Sequence, residues 1–179
     1  MLAQRRALAP EIINGLSAGI AERLFAAVEY REARTLLCFV STEIEVNTRT
    51  VIKKALADGK RVAVPLCIKG SCELSFRYIT GTDDLASGAF GILEPLPHCA
   101  ECTDFDGALC VVPALCCDRR GHRMGYGRGY YDRFLADFGG TGCGVIFDEF
   151  LLDTIPTEPT DVPLDMIVTE NDIFRFKIL

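Results

Sequence analysis

The sequence predicts an α/β fold: a single domain with a mainly parallel central sheet and helices on both faces. Two patterns predict it. Continuous apolar runs, the mark of strands buried on both faces, recur at TLLCFV (35–40), RVAVPL (61–66) and ALCVVPA (108–114). Segments with apolar residues three and four apart alternate with these runs, as in a parallel sheet joined by helices. The length of 179 residues, with 49% hydrophobic and 25% charged, suits one domain over residues 1–179 that needs no disulfide or metal staples.

The first helix is expected over about 10–30. Ile13, Leu16, Ile20, Leu24 and Val28 share a face, and Pro10 suits a first turn, where its missing N–H costs little. The strand at 35–40 follows. A helix over 47–58 has Val51, Ile52, Ala55 and Leu56 on one face and Gly59 as its stop. After the strand at 61–66, residues 73–79 alternate Leu74, Phe76 and Tyr78 against Ser75 and Arg77, which predicts a half-exposed edge or antiparallel strand. Residues 81–104 read mostly as loop. Beyond the strand at 108–114 come a Gly- and Arg-rich loop, a helix over about 130–138, a strand at 143–147, a short helix at 149–153 and a late strand at 165–169. Ligands of such sheets bind beyond the carboxyl ends of the strands, where the Gly-rich loop emerges.

The formal net charge of -6 opposes broad binding to nucleic acid or an anionic membrane, both of which need a basic surface. There is no run of eighteen apolar residues, so no transmembrane helix is expected. The first ten residues lack the apolar stretch of a signal peptide. With nine cysteines, an odd number, this predicts reduced thiols in the cytoplasm, several of them buried as small hydrophobes. Cys99-x-x-Cys102 resembles half a zinc site that Cys67, Cys72 or His98 would have to complete; plain thiols are the simpler expectation. His98 and His122 fall in loops and read as exposed polar residues.

The chemistry concentrates in DRRGHRMGYGRGYYDRF (118–134), which holds Arg119, Arg120, Arg123, Arg128 and Arg133. Gly125, Gly127 and Gly129 alternate with Tyr126 and Arg128, so backbone N–H groups can approach an anion without Cβ interference. The arginines offer forked bonds to phosphate oxygens, and the helix after Gly129 points its positive end at the same place. Asp132 in that helix offers an oxygen to Mg2+. The loop therefore suits a nucleotide polyphosphate, though it is neither a P-loop nor a G-x-G-x-x-G fingerprint. The competing reading is a flexible surface loop with solvated arginines. A convincing Ser-His-Asp or Cys-His set is absent.

The run Val112-Pro113-Ala114-Leu115 with DRRGHRMGYGRGYYDRFL resembles the signature of the 5-formyltetrahydrofolate cyclo-ligase (5,10-methenyltetrahydrofolate synthetase) family. Further matches follow in order: Arg5 to Glu11, Ser41 to Val46, Phe90 to Pro95 and Asp161 to Asp165. The resemblance implies the three-layer architecture shared with sugar-phosphate isomerases and CoA-transferases. It also implies an ATP- and Mg2+-dependent ligase that converts 5-formyltetrahydrofolate to 5,10-methenyltetrahydrofolate, releasing ADP and phosphate. The formyl oxygen would attack the γ-phosphate, and N10 would close on the formyl carbon of the resulting iminium phosphate.

Roles implied by the resemblance follow by position. Arg123, Met124, Gly125, Tyr126, Gly127, Arg128, Gly129, Tyr130 and Tyr131 correspond to the ATP segment, and Tyr126 to Tyr130 would also face the folate. Arg123, Tyr126, Arg128 and Tyr130 would thus act on the reacting groups. Val40 and Glu45 correspond to substrate contacts, and Asp132 and Asp161 to Mg2+ ligands. Asp132 otherwise reads as a helix N-terminal acid, and Asp161 as a turn residue before Pro163. On the metal reading, Asp132→Ala should abolish turnover with an unchanged melting temperature. A monomer acting on a small molecule is expected.

One departure concerns the first helix. The family carries a Lys and an Arg upstream of the match to Arg6, and Arg5 and Arg6 should not inherit their contact with ATP. Either the sequence starts late or the loop arginines hold ATP alone. The alternative to an active ligase is therefore a catalytically weak folate- or nucleotide-binding paralogue. A sugar-phosphate isomerase or acyl-transferase would need a catalytic carboxylate or Lys in place of GYGRGYYD.

Overall fold

Five parallel strands form the centre of the sheet, and the order in which the chain lays them down places the site. The computed structural model describes residues 1–88 and 91–176. In chain order the elements are α1 (Leu2–Ala7), α2 (Pro10–Ala26), α3 (Val28–Glu32), β1 (Thr35–Cys38), α4 (Thr48–Ala57), β2 (Arg61–Cys67) and β3 (Leu74–Ile79). The middle of the chain adds β4 (Leu85–Ser87), β5 (Leu93–Pro95), β6 (Glu101–Cys102), β7 (Leu109–Val112), β8 (Cys116–Asp118) and β9 (Arg123–Met124). The last part holds α5 (Tyr130–Ala136), β10 (Thr141–Val145), β11 (Leu151–Leu152), β12 (Met166–Val168) and β13 (Ile173–Arg175).

The main sheet has the order β13-β12-β10-β7-β1-β2-β3-β6. β12, β10, β7, β1 and β2 are parallel, while β13, β3 and β6 pair antiparallel at the two ends. β1 and β7 are buried at every residue, as their uninterrupted apolar runs require. α4 packs on β1 and β2, α2 packs on α4 and β12, and α5 packs on β3. Phe134 of α5 meets Phe76 of β3 with ring centroids 4.6 Å apart.

From β1 the chain steps outward to β2, but β7, β10 and β12 step the other way. The order therefore reverses between β1 and β7, and the crevice beyond their carboxyl ends is where such sheets bind ligands. The turn after β1 is tied to α4 by a reciprocal pair: Thr48 Oγ1 accepts from the Ser41 amide at 3.0 Å, and Ser41 Oγ accepts from the Thr48 amide at 3.1 Å. Asn47 caps α4 through the Arg49 amide, 3.2 Å away.

Several expectations need correction. The helix at 10–30 breaks at Ala27, whose ψ of 141° is extended. Tyr30 explains the restart: it is buried, its hydroxyl donates to Asp58 at 2.8 Å, and its ring lies 5.1 Å from Phe25. Residues 149–153 are not a helix. A 3-10 turn over Asp148–Phe150 runs straight into β11, which pairs with β8. The span 81–104 is mostly irregular, as expected, but it also carries three short strands: β4 and β5 form a hairpin and β6 pairs with β3. The stretch read as one Gly- and Arg-rich loop begins as the β8–β9 hairpin. Phe90 lies outside the described residues.

Candidate active site

Two segments meet beyond the ends of β1 and β7. The first is the turn after β1, where Val40 is buried and Glu45 is 7% exposed. Glu45 Oε2 accepts from both the amide (2.8 Å) and the hydroxyl (2.9 Å) of Thr42, which fixes the carboxylate. Its Oε1 accepts from the Tyr126 hydroxyl at 2.9 Å. Burial, then the adjacent Glu45 charge, push the Tyr126 phenol well above its ordinary value, so it stays a donor.

The second segment is β9, the Gly loop and α5. Leu115 donates its amide to the Met124 carbonyl at 2.7 Å, anchoring the base of the loop. Gly127 (φ 81°) and Gly129 (φ 65°) take left-handed conformations that favour glycine. No atom lies within 4 Å of where a Gly127 Cβ would stand, so the backbone there faces open space. Gly125 lies between Met124 and the exposed Tyr126 ring. Arg128 is exposed, and its carbonyl accepts from Arg133 Nη1 at 2.9 Å. Tyr130 opens α5 against the Cys67 thiol, with Arg128 and Glu94 nearby. Tyr131 turns inward, and its buried hydroxyl has no partner among the described residues.

Arg123 and Asp132 are brought together. Arg123 Nη2 donates to Asp132 Oδ1 at 2.9 Å, and the Arg123 side chain is only 4% exposed. The Val162 amide donates to the same Oδ1 at 3.2 Å. The late segment thus returns against Asp132, beside Asp161, whose Oδ2 accepts from the Glu158 amide at 2.7 Å. Both bonds to Asp132 fall on one oxygen.

The arginines are not a free cationic cluster. Asp118 is fully buried and takes Arg120 in a fork at 2.8 and 3.0 Å, together with the amides of Arg120, His122 and Ile155. Burial pushes the Asp118 carboxyl up, but Arg120 and the three amides outweigh it, and the net shift is down. Arg119 pairs with Asp153 at 3.5 Å, and Arg133 folds back on its own loop. His122 is likewise no exposed residue: its Nδ1 lies 3.4 Å from Asp118. Much of the stretch's positive charge therefore builds the hairpin instead of waiting for a ligand.

Arg5 carries a role that the sequence did not reveal. It is 1% exposed and donates to the carbonyls of Ala114 (2.9 Å), Leu115 (3.0 Å) and Ile44 (3.3 Å). Its guanidinium stands 4.7 Å from the Phe150 ring centroid and 5.8 Å from that of Phe147. One side chain thus holds the residue before Glu45 and the entrance to the Gly loop. An arginine in a short polar helix reads as solvated, so only the fold exposes this role. An open pocket of 440 Å3 lies elsewhere, between β2, β3 and the β4–β5 hairpin, lined by Leu66, Arg77, Ser87, Glu94 and Leu96.

The model of the 5-formyltetrahydrofolate cyclo-ligase family matches residues 1–170. The chain belongs to this family. It is 31% identical over 170 residues to the probable 5-formyltetrahydrofolate cyclo-ligase of Caenorhabditis elegans, covering 87% of this chain and 82% of that protein. To the 5-formyltetrahydrofolate cyclo-ligase of Escherichia coli K12 it is 27% identical, covering 97% and 98%. The NMR structure of Aquifex aeolicus 5,10-methenyltetrahydrofolate synthetase superposes with a TM-score of 0.86 at 26% identity, covering 99% of this chain and 90% of that one. A synthetase from Mycoplasma pneumoniae, 20% identical, shares the fold with a TM-score of 0.74. Both segments that meet at the Tyr126–Glu45 bond lie within the residues the family model matches. Among the described residues no helix is long and apolar enough to cross a membrane.

Proposed function

We propose that the chain converts 5-formyltetrahydrofolate to 5,10-methenyltetrahydrofolate with consumption of ATP and with Mg2+. The supporting observation is the 2.9 Å Tyr126–Glu45 bond, which ties a buried carboxylate to a Gly-rich loop at the reversal point of a parallel sheet. Glu45, already fixed by Thr42, would accept hydrogen bonds from donor groups of the pterin ring. Val40 would supply an apolar wall.

The open backbone at Gly127 and the left-handed turn at Gly129 suit a polyphosphate held by amides, with Arg128 beside it. The donor set also suits Mg2+, since Asp132 and Asp161 lie on segments in contact and present hard carboxylate oxygens. When bound, Mg2+ would neutralise charge on the phosphates. Arg123, paired with Asp132, would orient that carboxylate; it need not reach the phosphates itself.

The reaction then calls for positioning more than for a nucleophile from the chain. The formyl oxygen takes the γ-phosphoryl group and ADP is released; N10 bonds to the formyl carbon and gives up its proton, and the C–O bond breaks as the oxygen departs with phosphate. Tyr126 and Tyr130 lie where the loop would face both substrates, and closure of the crevice would exclude water from the activated formyl group.

A coupled assay tests this reading. ATP consumption should depend on 5-formyltetrahydrofolate and on Mg2+, with one methenyl product formed per ADP. Binding of 5-formyltetrahydrofolate by calorimetry without product formation would overturn it in favour of a binding paralogue.

A further inference from the structure

On the flank of the sheet away from the Tyr126–Glu45 bond, Asp84, His98 and Cys99 converge. Their ligating atoms all lie within 4.8 Å of one another, the one such group of three among the described residues. Asp84 ends a 3-10 turn (Thr82–Asp84), and His98 and Cys99 precede β6. Two backbone bonds lock these segments: the Leu96 amide to the Asp84 carbonyl (2.8 Å) and the Cys99 amide to the Leu96 carbonyl (3.0 Å). We propose that Asp84, His98 and Cys99 form a binding site for a borderline-soft divalent cation of the zinc type, distinct from the Mg2+ site.

The donor set selects the metal. A thiolate, an imidazole and a carboxylate suit zinc-type ions, whereas Mg2+ prefers oxygen alone. Tetrahedral bonds of about 2.0–2.3 Å place ligand atoms about 3.3–3.7 Å apart. His98 Nε2 and Asp84 Oδ1 now stand 3.0 Å apart, so small side-chain shifts admit the ion. The His98 side chain is 66% exposed, which leaves room for a water in the fourth position. With His98 neutral, Asp84 and Cys99 would balance the two positive charges.

The surroundings favour it. The amide and hydroxyl of Thr80 hold Asp84 Oδ2 at 2.6 and 2.8 Å, turning Oδ1 toward His98. Arg77 Nη1 donates to the Cys99 carbonyl at 3.2 Å, while its buried Nε has no partner among the described residues. A thiolate at Cys99 would give that cation a counter-charge. Cys102 takes no part: its thiol points to the Asp104 carbonyl, 3.7 Å away. The bound ion would clamp the 3-10 turn to residues 96–99, whose Leu96 and Pro97 wall the 440 Å3 pocket.

A metal takes the thiolate and displaces the Cys99 proton, so binding should weaken as pH falls. Titration of the full chain with Co2+ alone tests the site. One equivalent should bind with the visible bands of a tetrahedral ion and a sulfur-to-metal charge-transfer band. Cys99→Ser should abolish the charge-transfer band, and His98→Ala should weaken binding at least tenfold. His98 is exposed, so its removal does not threaten folding. Cys72→Ser, which removes the exposed thiol, should change nothing. Failure to bind one equivalent, binding indifferent to His98→Ala, or loss of binding in Cys72→Ser would each overturn the proposal.

Discussion

The Tyr126 hydroxyl and the Glu45 carboxylate, 81 positions apart in the chain, meet at 2.9 Å where the strand order reverses. Loss of a hydrogen bond to a charged group costs about 1.5–3 kcal/mol. Tyr126→Phe should therefore lower kcat/KM for 5-formyltetrahydrofolate about tenfold or more and leave KM for ATP nearly unchanged. The same loss leaves Oε1 of the buried Glu45 without its donor in the folded chain, so the melting temperature should also fall modestly. Steady-state kinetics with each substrate varied in turn checks both parts.

Asp132 has a second duty that changes how its substitution must be read. Removing it strands the buried Arg123 guanidinium, and breaking a buried ion pair costs about 3–5 kcal/mol. Asp132→Ala should therefore lower the melting temperature as well as turnover, contrary to the unchanged stability expected from the sequence. Asp132→Asn keeps an acceptor for Arg123. It should retain more stability than the alanine variant while raising the Mg2+ concentration needed for half-maximal rate. Thermal melts of both variants and a Mg2+ titration separate the roles.

Arg5→Met removes the donors to Ala114, Leu115 and Ile44. Orphaned buried carbonyls cost about 1–3 kcal/mol each before relaxation. The variant should lose about 3 kcal/mol or more in urea unfolding, and kcat/KM for the folate should fall with it. Arg5→Lys should recover only part, since an ammonium lacks the planar fork.

Asp118 sets a direction for acid stability. A carboxyl held below its ordinary value stabilises the fold fully above that value, about 3.9 in the unfolded chain. The contribution is lost as pH falls through the lower, folded value. Asp118→Asn should thus destabilise strongly at pH about 7, and the gap to the parent should narrow below pH about 4. Urea melts across that range check the sign.

The thiols make a fifth test. Burial pushes Cys38 and Cys117 up to about 12, and raises Cys110 and Cys143 as well. Cys72 is exposed and Cys67 half-buried. Iodoacetamide at neutral pH should label Cys72 first and Cys67 slowly, while urea opens all nine. Intact mass against time reads the order.

Much of the sheet was legible because its strands are apolar runs or a clean alternation, as at 35–40, 61–66, 73–79 and 108–114. The helix capped by Asn47 was legible from its spacing and its stop. Elements of two or three residues were not: β5, β6 and β11 are too short for a hydrophobic period to repeat, and their pairing partners are set by the fold. The break at Ala27 comes from where Tyr30 packs, which no local propensity encodes. The loop at 125–129 was visible by its glycines, but the duties of its arginines were not. Asp118 stands at the head of that stretch, and an acid two residues before Arg120 is the one local sign that the charge is spent internally.

Arg5 also has a bearing on time. It is made before its acceptors, which lie 39, 109 and 110 positions further on. Until residue 115 is made, the guanidinium lacks its two nearest acceptors, the carbonyls of Ala114 and Leu115. Docking of α1 is then among the last events of folding, and so long a closure belongs to the slow class of contacts. Both walls of the crevice are joined by that one side chain, which makes α1 the seal on a site built from later segments.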